Sequence, residues 1–209
     1  MKAHASVFLF AYLLLGCNRA AVRIPGAAGS FHAASTGYVS TRPLPRTVRV
    51  ALPTDTRRAH YGERVAGTRW KGCETDPFWG DSAPRTLAAD LERELRDSRI
   101  FEQVRGVDDP SALVLETEIR ALCAQVVGFL WLRVAGITSL HFTLRDAEQV
   151  LFERTLEKVV TDADEEYSGS QAAFIEQAMK VLISDSVREV LSKLVWELDR
   201  VEPPRPAPL

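Results

Sequence analysis

The amino-acid sequence predicts an α/β (α+β) fold in a single domain, and three patterns carry that prediction. Between residues 113 and 160 apolar and polar side chains alternate through successive stretches, as in an antiparallel meander. Two other stretches, 82–97 and 171–198, repeat apolar residues at helical spacing. The chain of 209 residues is long enough to bury one core of ordinary size.

The elements follow in order. Thr47-Val48-Arg49-Val50-Ala51-Leu52-Pro53 alternates and stops at proline, which reads as a first strand. Residues 54–81 form a long connection carrying Arg57, Arg58, Arg64, Trp70, Cys73, Phe78 and Trp79. Connections of that length in a compact domain are uncommon and often functional. Trp70, Phe78 and Trp79 either cap the core or form an exposed contact patch, because aromatic residues with arginine compose interface hot spots. Ser82 is an N-cap candidate with Pro84 in the first turn. Leu87, Leu91 and Leu95 then mark a helix to about Asp97, with charges on its opposite side. Ile100 to Val104 is a short strand, and Asp108-Asp109-Pro110 a turn.

From Ala112 the pattern is β. Leu113, Leu115, Thr117, Ile119, Ala121 and Cys123 share one face by alternation, with Glu116, Glu118 and Arg120 on the other. Val126 to Ile137 is more apolar throughout. Its centre, Phe129, Leu130 and Trp131, reads either as a hairpin tip in contact with lipid or a partner, or as a strand covered on both sides. Leu140, Phe142 and Leu144 alternate with His141, Thr143 and Arg145, and Asp146-Ala147-Glu148 turns the chain into a strand towards Val160. Acidic residues 162–166 lack the glycine and closing glutamate of a calcium loop. Ile175, Met179, Leu182, Ile183, Val187, Val190, Leu194 and Leu198 then form the apolar stripe of a long helix packed on the sheet. Glu202-Pro203-Pro204-Arg205-Pro206 closes the chain as an extended tail.

The N-terminus decides the compartment. Lys2 precedes the apolar run Val7–Leu15, too short to span a bilayer and suited to a cleaved leader. The run ends in Leu14-Leu15-Gly16-Cys17, which resembles the lipobox of bacterial lipoproteins; the alternative is a plain secretory leader. The resemblance implies a signal peptide over 1–16 and an acylated Cys17. Asn18, in place of aspartate, favours the outer membrane, with the protein facing the periplasm. Residues 17–46, rich in small residues, are expected to be a flexible tether, 47–200 the folded domain and 201–209 a disordered tail. With Cys17 acylated, Cys73 and Cys123 remain as an even pair in an oxidising compartment and are predicted to be bonded; two buried thiols are the alternative.

No catalytic signature stands in the chain. Its four histidines share no metal-ligand spacing, and there is no G-x-S-x-G elbow, Walker loop or dinucleotide fingerprint. An enzyme, a metal site or a cofactor beyond the lipid on Cys17 is therefore not expected. The formal net charge of −2, one unit more negative once Lys2 leaves with the leader, is no footprint for nucleic acid.

The lipobox, the proline-ended first strand, the run Asp97-Ser98-Arg99-Ile100-Phe101-Glu102-Gln103-Val104, and Leu113-Val114-Leu115-Glu116-Thr117-Glu118-Ile119 carry a further resemblance. So do Phe142-Thr143-Leu144-Arg145-Asp146, Tyr167 and the long last helix. Together they look like small envelope lipoproteins of the LptE-like and PqiC-like ABC-transport auxiliary type, with the TolB N-terminal-like fold. That resemblance implies two helices on one face of a mixed, largely antiparallel sheet of four to five strands. It also implies a non-enzymatic accessory subunit of a lipid or lipopolysaccharide transport or assembly system. Its partner would be a larger envelope protein, a β-barrel or an ABC transporter component, met by the sheet's other face or edge. A stand-alone binder of lipid or another hydrophobic ligand is the alternative.

Overall fold

The computed structural model describes residues 36–70, 73, 83–105, 112–127, 133–147, 149–162 and 172–201. Strand β1 (Leu44–Val50) buries Val48 and Val50. Two-residue strand β2 (Thr54–Asp55) follows, then a small hairpin of β3 (Arg64–Val65) and β4 (Thr68–Arg69). Ala66 and Gly67 between them both have positive φ, 48° and 81°, the geometry of a type I′ turn that matches strand twist. Helix α1 (Ala83–Ser98) leads to β5 (Phe101–Arg105). Strands β6 (Leu113–Val127), β7 (Arg133–Asp146) and β8 (Gln149–Thr161) form the meander, and helix α2 (Ala172–Leu198) closes the fold.

The main sheet runs β5-β1-β6-β7-β8, with β2 added beside β6. It is mixed: β1 is parallel to both β5 and β6, whereas β6, β7 and β8 are antiparallel. Both helices cover one face, α1 over β5 and β1, α2 over β6, β7 and β8. The α+β class, the two helices and the mixed sheet agree with the sequence. The five-strand path is the expected size, and short β2 is an addition to it.

Leu87, Leu91 and Leu95 of α1 and the whole predicted stripe of α2 are buried. The charges of α1 do not all lie opposite. Asp90 and Glu94 are buried with the leucines, Asp90 paired with Arg93 and Glu94 accepting the Thr36 N–H at 3.1 and 3.0 Å. That bond corrects the expected extent of the tether, since residues 36–46 belong to the folded unit. Ser40 N–H donates to Ser98 O at 2.7 Å, Tyr38 Oη to Asp199 Oδ2 at 2.6 Å, and β1 begins at Leu44.

A second correction concerns β6. Ile119 pairs with Leu140 but Ala121 with Ser139, so Arg120 is an extra residue in a β-bulge. A bulge of one residue exchanges the two faces of everything beyond it. Leu113, Leu115 and Ile119 therefore face the helices before it, and Leu122 and Ala124 after it. Ala121 and Cys123, expected beside Ile119, lie on the opposite face in a second cluster.

Candidate interaction surface

The face away from the helices divides into two halves. Beyond the bulge, Ala121 and Cys123 of β6 meet Ala135 and Ile137 of β7, and Val159 of β8 packs against them. This half is apolar, and a sheet face of that kind needs cover. On the other side of the bulge stand Glu116 and Glu118, His141, Thr143 and Arg145, and Glu153 and Thr155.

The 54–73 connection supplies the cover. Cys73 is joined to Cys123 by a disulfide with Cα atoms 5.4 Å apart. Val65 and the half-buried ring of Trp70 complete the cluster, and Trp70 Nε1–H donates to Val65 O at 3.3 Å. Glu157 of β8 fastens the hairpin, accepting the Ala66 N–H at 2.9 Å and the Ser139 hydroxyl at 3.1 Å. Arg57 is 4 % exposed, and its guanidinium donates to both oxygens of Asp55, at 2.9 and 2.7 Å, and to Leu122 O at 3.2 Å. It thus meets the edge of β6 just past β2. Burial alone would raise the Asp55 pKa, but the hydrogen bonds and charge of Arg57, with the charge of Arg58, outweigh it and hold the carboxyl below its ordinary value.

The polar half stays open as a groove of about 460 Å³, walled by Ala51, Leu52 and Thr54. Its floor is a ladder of ion pairs and polar contacts across three strands. Arg145 Nε donates to Glu116 at 2.9 Å, Arg120 reaches Glu118 at 3.3 Å, and His141 Nε2 lies 3.3 Å from Glu153. The other ring nitrogen of His141 is 3.0 Å from the Thr155 hydroxyl. Such half-exposed pairs contribute about 0–1 kcal/mol each to stability. Their value lies in presenting fixed, alternating charge to a partner, which gives specificity and orientation.

The residues singled out from sequence are distributed unequally. Cys73, Cys123 and Trp70 come together as a cover on the apolar half-face. Val134, Ala135 and Ile137, from the apolar 126–137 stretch, are buried between α2 and that cover. Cys17, Phe78, Trp79, Phe129, Leu130 and Trp131 lie outside the described residues, as do the leader and 202–209. The charged floor was not singled out, although the alternation that set Glu116, Glu118, His141 and Arg145 on polar faces was its signal; the register joined them. Among the described residues no group of three or more His, Cys, Asp and Glu is placed to hold a metal ion. No helix among them is long and apolar enough to cross a membrane.

No family model matches the chain, and no curated protein does. Solved structures are similar to it. A Xanthomonas campestris protein assigned to the DUF330 family matches with a TM-score of 0.50 and 14 % identity, over 82 % of this chain and 98 % of that one. A minor lipoprotein from Acinetobacter baumannii gives 0.49 and 14 %, over 76 % and 93 %. Lipoprotein GNA1162 from Neisseria meningitidis gives 0.33 and 10 %, over 68 % and 100 %. At 14 % identity the likeness to the Xanthomonas protein is one of fold alone.

Proposed function

We propose that the chain is a non-enzymatic lipoprotein, held at the outer membrane through acylated Cys17 and facing the periplasm. There it serves as an accessory subunit of a lipid or lipopolysaccharide transport or assembly system. The observation that carries this reading is the divided sheet face: one half sealed by a disulfide-clamped connection, the other open as a charged floor. A disulfide of this kind suits an oxidising compartment, in keeping with the Leu14–Cys17 sequence. A surface that binds a larger protein needs fixed polar groups on a rigid sheet, and Glu116, Glu118, Arg145 and Glu153 supply them. No cofactor enters this reading. A lipid carrier draws no support from Val134, Ala135 and Ile137, whose apolar surface is spent inside the chain.

The test is affinity recovery of the full-length chain from detergent-solubilised native envelopes, with mass spectrometry of proteins and lipids together. A stoichiometric β-barrel or ABC transporter component is expected, and the double reversal Glu116→Arg with Arg145→Glu should leave it behind. Lipid without protein, or recovery unaffected by the reversal, would overturn this assignment of the surface.

A further inference from the structure

The anchored segment joins the folded unit at one defined place. Eighteen residues, 18–35, separate Cys17 from Thr36. Thr36 is tied to Glu94 of α1, and two residues later the Tyr38 hydroxyl is tied to Asp199, just past the end of α2. The chain therefore enters the fold against α1, and the Tyr38 side chain reaches the C-terminal end of α2.

An exposed aromatic ring stands at that end of α2. Trp196 is 45 % exposed, and the Arg200 guanidinium lies 3.0 Å from the centre of its ring. Tyr38, Ser192, Lys193 and Trp196 line one open groove of about 340 Å³ together with Glu157, Lys158 and Glu189. The carboxylates there are engaged, Asp199 by Tyr38, Glu189 by Lys158 at 3.6 Å, and Glu157 by the Ala66 N–H and the Ser139 hydroxyl. Tryptophan and tyrosine with flanking lysine and arginine are the side chains that settle at a bilayer's headgroup level. Their rings sit at the boundary of the acyl region while the cations reach phosphate.

We propose that Tyr38, Lys193, Trp196 and Arg200 form a lipid-contact surface on which the domain rests against the leaflet that holds the Cys17 lipid. Trp196 enters the headgroup–acyl boundary, and Lys193 and Arg200 meet glycerophospholipid phosphates. The charged sheet floor belongs to the opposite layer of the fold from α2, so a domain resting on α2 turns that floor towards the periplasm. The inference rests on the anchored-lipoprotein reading above and adds an orientation to it.

The test uses the full mature chain, purified from envelopes and reconstituted into phosphatidylethanolamine–phosphatidylglycerol vesicles with and without brominated acyl chains. Tryptophan emission should be quenched at least twofold more by the brominated vesicles. Trp196→Phe should abolish most of that difference, and Lys193→Gln with Arg200→Gln should reduce it by about half, with thermal unfolding unchanged. Quenching that survives Trp196→Phe and disappears in Trp131→Phe would overturn the proposal and locate the contact on the β6–β7 connection. An acylated chain that floats with vesicles but shows no lipid-dependent quenching would overturn this contact alone. A mature chain whose mass carries no acyl group would overturn both the anchor and the contact.

Discussion

Gly136 of β7 lies directly beneath the Leu182–Ile183 backbone of α2, and a methyl group at that position would overlap the Leu182 carbonyl. The absent side chain is what lets the helix backbone come down onto the sheet. Gly136→Ala should therefore force α2 away from β7 and cost about 3 kcal/mol, the upper range for overpacking a rigid site. Urea unfolding would show it as a lower midpoint with little change in slope; an unchanged midpoint would mean that α2 sits higher than described.

One helical turn along the same contact, Thr138 and Ser186 share a buried hydrogen bond of 2.7 Å between their hydroxyls. Ser186 also donates to Ile183 O at 2.8 Å, so it keeps a partner when Thr138 is changed. Ser186→Ala, which removes the Thr138 partner, should cost about 1–3 kcal/mol, and Thr138→Val about 1 kcal/mol or less. A double-mutant cycle should give a coupling near 1 kcal/mol. Additive effects would exclude the bond.

These helix contacts show what the sequence could and could not convey. The stripe of α2 was legible because its spacing is set by the helix itself, and every residue of it is buried. So were the leucines of α1 and the three strands of the meander, whose period is also local. Gly136 and Thr138 were not, because their roles depend on which helix turn lands above them. Asp90 and Glu94 read as solvent charges, yet they are buried by partners brought in from Arg93 and Thr36. The bulge at Arg120 could not be read either: Ala121-Leu122-Cys123-Ala124 is apolar on both faces, so the pattern assigns no face there, and only pairing with β7 shows the change. The charged floor is a product of the same register. The cysteine pair, by contrast, was legible from number and compartment alone.

The disulfide closes a sequence separation of 50 residues that includes all of α1. In the chain-entropy account a loop of that length is worth about 4 kcal/mol, through restriction of the unfolded chain. Cys73→Ala with Cys123→Ala should lower stability by about that amount. It should also free the 54–73 connection, so that trypsin cleaves at Arg64 and Arg69 before it attacks the meander. Unreduced native protein should show no thiol from this pair, and a titration that finds both would remove the clamp from the structure.

Two groups give stability a pH dependence at opposite ends. Asp55 has a folded pKa below its ordinary value of 3.8, because Arg57 outweighs the cost of burial. Its stabilising contribution is whole above that ordinary value and is lost as pH falls through the lowered one. Tyr38 is the reverse: its hydrogen bond to Asp199, with desolvation and the Asp199 charge, raises the phenol above 10.0. That contribution is whole below pH 10 and is lost as pH rises through the raised value. Arg57→Gln should flatten the acid limb of a stability–pH profile and leave the alkaline limb alone, and Tyr38→Phe should do the opposite. A profile in which both variants change the same limb would contradict these pairings.

The bulge makes the sharpest prediction, since the extra residue sets the face on which Cys123 stands. Ile119 opposite Leu140 and Ala121 opposite Ser139 become successive pairs when Arg120 is deleted, so β6 and β7 then pair in a single register with Leu122 still facing α2 and Cys123 still facing the 54–73 connection. The deletion variant should therefore form the Cys73–Cys123 bond on oxidative refolding and keep the 54–73 connection resistant to trypsin. Moving the cysteine by one residue in the parent chain, by Cys123→Ala with Ala124→Cys, should instead leave two free thiols, because Ala124 faces the helices and its Cβ points away from Cys73. A disulfide formed in that variant, or lost in the deletion, would mean that Arg120 is not what turns β6 over.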